Sequence, residues 1–92
     1  MIKQFAHKGL EGFFLTGTLK GIQAKHAKKL ALILDVLDVA AKPEDINIAG
    51  SFLHPLKGDL KGFWSVRISG NWRITFRFHD GDVYVVDYQD YH

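Results

Sequence analysis

Apolar residues follow two rhythms along this chain, and the change between them divides it. From Gln23 to Ala41, the residues Ala24, Ala27, Leu30, Ala31, Leu34 and Leu37 recur at steps of three and four, while Lys25, Lys28 and Lys29 lie off that stripe. This spacing predicts an amphipathic helix. Leu32, Ile33 and Val36 widen its apolar face, so cover on two sides is expected. Pro43 keeps Lys42 out of a helical turn and closes the element. A shorter helix is predicted over Lys8 to Thr16, where Leu10, Phe13 and Phe14 share a face and Gly17 supplies a stop. Met1 to Phe5 reads as a short strand.

Residues Pro43 to Gly62 read as a connection with a short helical turn, and period two then takes over. Gly62 to Ser69, Trp72 to Phe78 and Val83 to Tyr88 are strand-like. Ser69-Gly70-Asn71 and His79-Asp80-Gly81-Asp82 separate them with hairpin length and composition. Helices followed by a β-meander predict an α+β fold, with helices packed on one face of a small antiparallel sheet. Alternation puts Trp64, Val66, Ile68, Trp72, Ile74, Phe76 and Phe78 on one face. Ser65, Arg67, Arg73, Thr75 and Arg77 fall on the other.

Charge sharpens that division. The chain has 92 residues, 47% of them hydrophobic, no cysteine, and a net charge of +2. That length and composition predict a single packed domain over residues 1–92 and exclude disulfide scaffolds, thiolate nucleophiles and sulfur-based zinc sites. No apolar run reaches the length of a membrane span, and Met1-Ile2-Lys3-Gln4 does not begin a secretory signal, so a soluble cytoplasmic protein without membrane contact is expected. The net charge says little about partners. The arginines do more: all three, Arg67, Arg73 and Arg77, fall on the same predicted sheet face. Solvated strands also carry Arg for solubility, but a guanidinium fork matches phosphate oxygens in pairs. Lys57 and Lys61 extend the basic surface, and Asp87 dilutes it.

The five His show no metal-ligand spacing, and no metal or cofactor is expected. His7, His26 and His79 read as surface residues at element ends, whereas His54 sits in a loop bounded by Pro55 and Gly58. The chain finishes Gln89-Asp90-Tyr91-His92, unusually rich in aromatic and titratable groups for a terminus. Tyr88 and Tyr91 could simply pin the last strand. Alternatively, Asp90, Tyr91 and His92 stand at the sheet edge beside the arginines. Imidazole and carboxylate supply acid–base capacity, and Arg supplies charge stabilisation. No Ser or Thr nucleophile is evident. Chemistry that needs only bases, acids and cations is RNA cleavage, whose nucleophile is the substrate's own 2′-hydroxyl.

Several segments, in order and at full length, resemble one family. They are Met1-Ile2-Lys3 with Phe5 and His7-Lys8-Gly9-Leu10, Leu53-His54-Pro55-Leu56-Lys57-Gly58-Asp59, Gly62-Phe63-Trp64-Ser65-Val66, Asn71-Trp72-Arg73-Ile74-Thr75-Phe76, and Val86-Asp87-Tyr88-Gln89-Asp90-Tyr91-His92. Together the chain resembles HigB-type toxins of bacterial toxin–antitoxin pairs, within the RelE-like superfamily of ribosome-dependent mRNA interferases. The resemblance implies a microbial-RNase-like fold of two N-terminal helices on a small antiparallel sheet, whose concave face takes mRNA in the ribosomal A site beside ribosomal RNA. It implies His54, Asp90, Tyr91 and His92 as catalytic residues and Arg73 as the holder of the scissile phosphate. Lys57, Arg67, Arg73 and Arg77 are the expected RNA-binding residues. One of His54 and His92 would take the 2′-hydroxyl proton while the other, or Asp90, protonates the departing 5′-oxygen. Tyr91 would stack on or orient a base. The implied partner is a cognate HigA-type helix-turn-helix antitoxin. Competing readings are a gyrase-poisoning toxin of the ParE type and a non-catalytic RNA- or protein-binding module using the arginine face alone.

Overall fold

A computed structural model describes residues 1–46, 48 and 50–90. The chain folds as α+β, with helices α1 (Lys8–Thr16) and α2 (Ala27–Val39) and a four-stranded antiparallel sheet. Its strands are β1 (His54–Pro55), β2 (Phe63–Ser69), β3 (Trp72–His79) and β4 (Asp82–Asp90), in the spatial order β1-β2-β3-β4. Among the described residues no helix is long and apolar enough to cross a membrane.

Local chemistry accounts for the element ends. Extended His7 precedes α1, and its Nδ1 accepts the Leu10 N–H at 2.9 Å, satisfying one orphan donor of the first turn. At the other end Gly17 takes φ 79 and returns its N–H to the Phe13 carbonyl. The long predicted helix is real but starts later than its periodicity suggested, because Ala24–His26 form a tighter 3-10 turn. Leu30, Ile33, Leu34 and Leu37 are its buried face, while Leu32 and Val39 are exposed, so the widened apolar stripe is covered on one side only. These side chains and Leu10 join Val66, Ile68, Ile74, Phe76, Val83, Val86 and Tyr88 in one core cluster. Truncating any of the large ones to Ala costs about 2–5 kcal/mol through lost transfer energy and the cavity left behind.

Two-residue turns join β2 to β3 and β3 to β4. Asp80 (φ 50) and Gly81 (φ 81) both adopt positive φ between His79 and its partner Asp82, as a type I′ hairpin requires. Gly70 (φ 57) opens the other turn, between Ser69 and Trp72. Strict alternation fails in β4. Val83, Val86 and Tyr88 are all buried, although the first two lie three residues apart. Val85, at φ 54, is an extra residue opposite β3, and this bulge keeps both valines on the core face. The predicted first strand is found as two parallel bridges from Ile2 and Phe5 to those same valines. Lys3 and Ala6 donate to the Val83 and Val86 carbonyls, both at 2.8 Å. This strap covers part of the β4 edge and is tied at its start, where the Met1 amino group lies 3.3 Å from Asp82 Oδ1 and the Ile2 N–H reaches Asp38 Oδ1.

His26 departs from its expected surface role. It is 2% exposed, because it ends the 3-10 turn before α2, four residues ahead of buried Leu30 and in line with that face. Its Nδ1 lies 2.6 Å from the Tyr88 hydroxyl, which also receives the Gln23 N–H at 3.4 Å. A hydroxyl that accepts from Gln23 can donate to Nδ1, placing the imidazole proton on Nε2, which is buried without a partner among the described residues. Trp72 stacks on Tyr88 with ring centroids 4.6 Å apart, and the edges of His7 and His26 pack against the pair. This cluster pins the far end of β4 to the start of β3. Burial, helped by neighbouring Lys25, holds His26 below its ordinary pKa, and burial raises Tyr88, so the hydroxyl keeps its proton.

The sign of the pH effect follows. With the folded pKa lowered, the unfolded chain protonates first as pH falls below the ordinary histidine value of about 6.5. Stability from neutral His26 is therefore complete above that pH and declines below it. Urea unfolding at pH 7.5 and 5.5 is expected to show lower stability at pH 5.5. His26→Gln is expected to be less stable at pH 7.5 and to show a smaller decline.

Candidate functional site

The pairing of β2 with β3 places Arg67 directly opposite Arg73. One row further along, on the same face, Ser65 opposes Thr75, and Thr75 in turn opposes Asp87 of β4. Arg73 opposes Gln89. Like charges facing one another across a ladder repel. An anion bound by both converts that repulsion into attraction, and a guanidinium pair suits the oxygens of a phosphate. Arg67 and Arg73 are half-buried, so their interaction with an anion is screened less than on an open surface.

His54 was expected in a loop but lies in a strand. Its segment pairs with β2, His54 opposite Ser65 and Pro55 opposite Trp64. A Pro is tolerated there because β1 is an edge strand. That pairing makes His54 and Arg67 diagonal cross-strand neighbours, about 7–8 Å apart at the backbone and within reach of long side chains. The imidazole is exposed, and its Nδ1 lies 3.1 Å from the Phe52 carbonyl. A carbonyl oxygen only accepts, so Nδ1 carries the proton of the neutral ring and Nε2 is left with a free lone pair. That is the tautomer a general base needs.

The floor between His54 and the arginines is drier than an open sheet face. Ser65 is 0% and Thr75 4% exposed, although both were expected on the solvated side. Gln89 Nε2 donates to Thr75 Oγ1 at 3.2 Å and to Asp87 Oδ2 at 3.1 Å. Asp87 is thereby engaged within the sheet rather than opposing the arginine pair. Ser65 Oγ is buried with no hydrogen-bond partner among the described residues.

The remaining expected residues are spread more widely. Arg77 shares the face but lies four residues along β3 from Arg73, about 13 Å at the usual rise, too far to hold the same phosphate. Lys57 is exposed at the start of the Gly58–Leu60 turn, on the connection leading from β1 to β2. Asp90 is the last residue of β4, opposite Trp72, at the sheet end nearest Arg73 and three strands from His54. Tyr91 and His92 lie outside the described residues. The structure thus brings His54, Arg67 and Arg73 together and sets Asp90 at the far strand's end.

Ser65 and Thr75, which alternation had put on the arginine face, build the floor with Gln89, a residue that sequence reasoning passed over because only the pairing of β4 with β3 sets it opposite Arg73. Phe52 lies with Arg67 Cζ 5.7 Å from its ring centroid, beside the imidazole its carbonyl holds. Nothing in the local pattern distinguishes it from Leu53.

Residues 3–92 match the family model described as the RelE-like toxin of the type II toxin–antitoxin system HigB. Two relatives agree with that match. "Endoribonuclease HigB" of Proteus vulgaris is 44% identical over 92 residues, the full length of both chains. "Toxin HigB-1" of Vibrio cholerae is 32% identical over 83 residues, 88% of this chain and 87% of that one. A match of this extent, over a chain whose α+β fold carries an arginine pair beside a histidine, assigns it: the protein belongs to the HigB family of RelE-like toxins of type II toxin–antitoxin systems.

Proposed function

We propose that this protein is an endoribonuclease toxin that cuts translated mRNA in the ribosomal A site and so arrests translation and growth. In this reading it is a single toxin domain over residues 1–92 with the RelE-like, microbial-RNase arrangement of two N-terminal helices on a sheet. It acts in the cytoplasm, and a cognate HigA-type helix-turn-helix antitoxin neutralises it. The observation that carries the reading is the opposed pair Arg67 and Arg73, with the proton-accepting nitrogen of His54 a diagonal neighbour on the same face. The name of the Proteus vulgaris relative, an endoribonuclease, supports the same chemistry.

The reaction needs no protein nucleophile. His54 Nε2 takes the proton from the substrate 2′-hydroxyl, whose oxygen attacks the adjacent phosphorus. The bond from phosphorus to the 5′-oxygen breaks, and that oxygen takes a proton from His92 or Asp90, leaving a 2′,3′-cyclic phosphate and a 5′-hydroxyl. Arg73, with Arg67, stabilises the charge that grows on the phosphoryl oxygens between those steps. Tyr91 orients a base beside the scissile bond. Arg77, further along β3, and Lys57, on the connection from β1 to β2, hold flanking backbone and steer the strand.

Brief induction in a bacterial host followed by mapping of mRNA 5′ ends tests the proposal. New ends inside translated codons are expected, whereas DNA damage with intact mRNA would point to a gyrase poison. His54→Ala and His92→Gln are each expected to abolish growth arrest with unchanged circular dichroism, since losing a general acid or base costs about 10²–10⁴-fold in rate. Growth arrest by both variants at wild-type expression would mean the site is elsewhere.

A further inference from the structure

Phe52 has features that ordinary core packing does not explain. The residue is 64% exposed and its backbone is held at φ 49, a left-handed conformation that a bulky residue seldom adopts without cost. The cause is a mismatch in the pairing to β2. The Ser51 carbonyl accepts the Arg67 N–H, while His54 opposes Ser65. The span from Ser51 to His54 is therefore one residue longer than the span from Arg67 to Ser65, and the extra residue is thrown out as a bulge, a device that re-aims a side chain. The ring it presents lies beneath the Arg67 guanidinium, and its carbonyl fixes the His54 imidazole. One strained residue thus joins the phosphate-binding arginine to the proposed base and exposes an aromatic face beside both.

We propose that Phe52 is a positioning residue on which a nucleobase of single-stranded RNA stacks, next to the nucleotide whose phosphate lies between Arg67 and Arg73. This rests on the nuclease reading above and extends it. Base–aromatic stacking tolerates any base, so Phe52 would set the path of the strand rather than its sequence. The guanidinium on the ring adds a cationic partner for the same stack.

The experiment combines variants of the protein with variants of the RNA. Cleavage of ribosome-bound mRNA is measured for wild type, Phe52→Ala, Phe52→Trp and Phe52→Gly, on intact message and on messages abasic at single positions within and beside the A-site codon. Binding of each protein to a 2′-deoxy, uncleavable single-stranded oligonucleotide is measured in parallel. Phe52→Ala is expected to lower kcat/KM and oligonucleotide affinity about tenfold on intact RNA, and Phe52→Trp to restore both to within about twofold. At one abasic position wild type and Phe52→Ala should become equal. Phe52→Gly, freed of backbone strain, should lose activity without a fall in thermal midpoint, which a merely structural role would not allow. Wild-type rates for Phe52→Ala, or the same loss at every abasic position, overturn the proposal. A wild-type protein that binds the oligonucleotide but cuts no message removes the nuclease reading, and the affinities then decide on Phe52. One that binds no RNA overturns both.

Discussion

The pairing of β2 with β3 sets Val66 against Ile74 and, one residue on, Arg67 against Arg73. These are two sides of one constraint. Side chains alternate between faces, so a slip of one residue would put the valine and isoleucine in water and drive guanidinium groups into the core. Burial of the apolar face against α2 therefore specifies the arginine pair without any contact to it. The two arginines are held opposite one another by the core beneath them. Hydrophobic packing in this way does the work of preorganising charge.

The two edges of the sheet carry the rest. On one side the bulge at Phe52 lets a two-residue strand present His54 while its own carbonyl selects the imidazole tautomer. On the other the bulge at Val85 keeps Val83 and Val86 buried and brings the chain in step for Asp87, Gln89 and Asp90. Behind that strand end, Trp72, Tyr88 and His26 form an aromatic wedge against the helices. The wedge backs the same rows that carry Arg73 and Gln89. Rigid support beneath and strained residues at both margins are what a site needs if its charges are to be in place before the substrate arrives.

Much of this was legible in the residues. The helical stripe through Leu30, Leu34 and Leu37 and the alternation through Val66 to Ile68 and Ile74 to Phe76 follow from burial on one side, so period alone located them. The clustering of all three arginines on one face followed from the same counting. What counting missed depends on distant partners. His54 belongs to a strand only because Ser65 lies opposite, and a two-residue strand has no period to read. Val85 and Phe52 are ordinary strand residues by propensity, and their positive φ is imposed by partners far along the chain. His26 was readable: it stands four residues before Leu30, on the stripe, but a histidine at a helix start suggests solvent until its tyrosine is known. The wide spacing of Arg77 from Arg73 likewise separates into two stations what composition presents as one patch.

Arg67 and Arg73 are proposed to grip one phosphate together, and a double-mutant cycle on cleavage of ribosome-bound mRNA probes that grip. Arg67→Ala and Arg73→Ala are measured singly and combined. Groups that act on one phosphate as a unit give strongly non-additive losses. Each single variant should lose about 10²–10³-fold in kcat, as for removal of one stabilising donor, and the double variant little more than the worse single one. Losses that multiply, or a wild-type rate for either single variant, would mean that the two arginines do not share a phosphate.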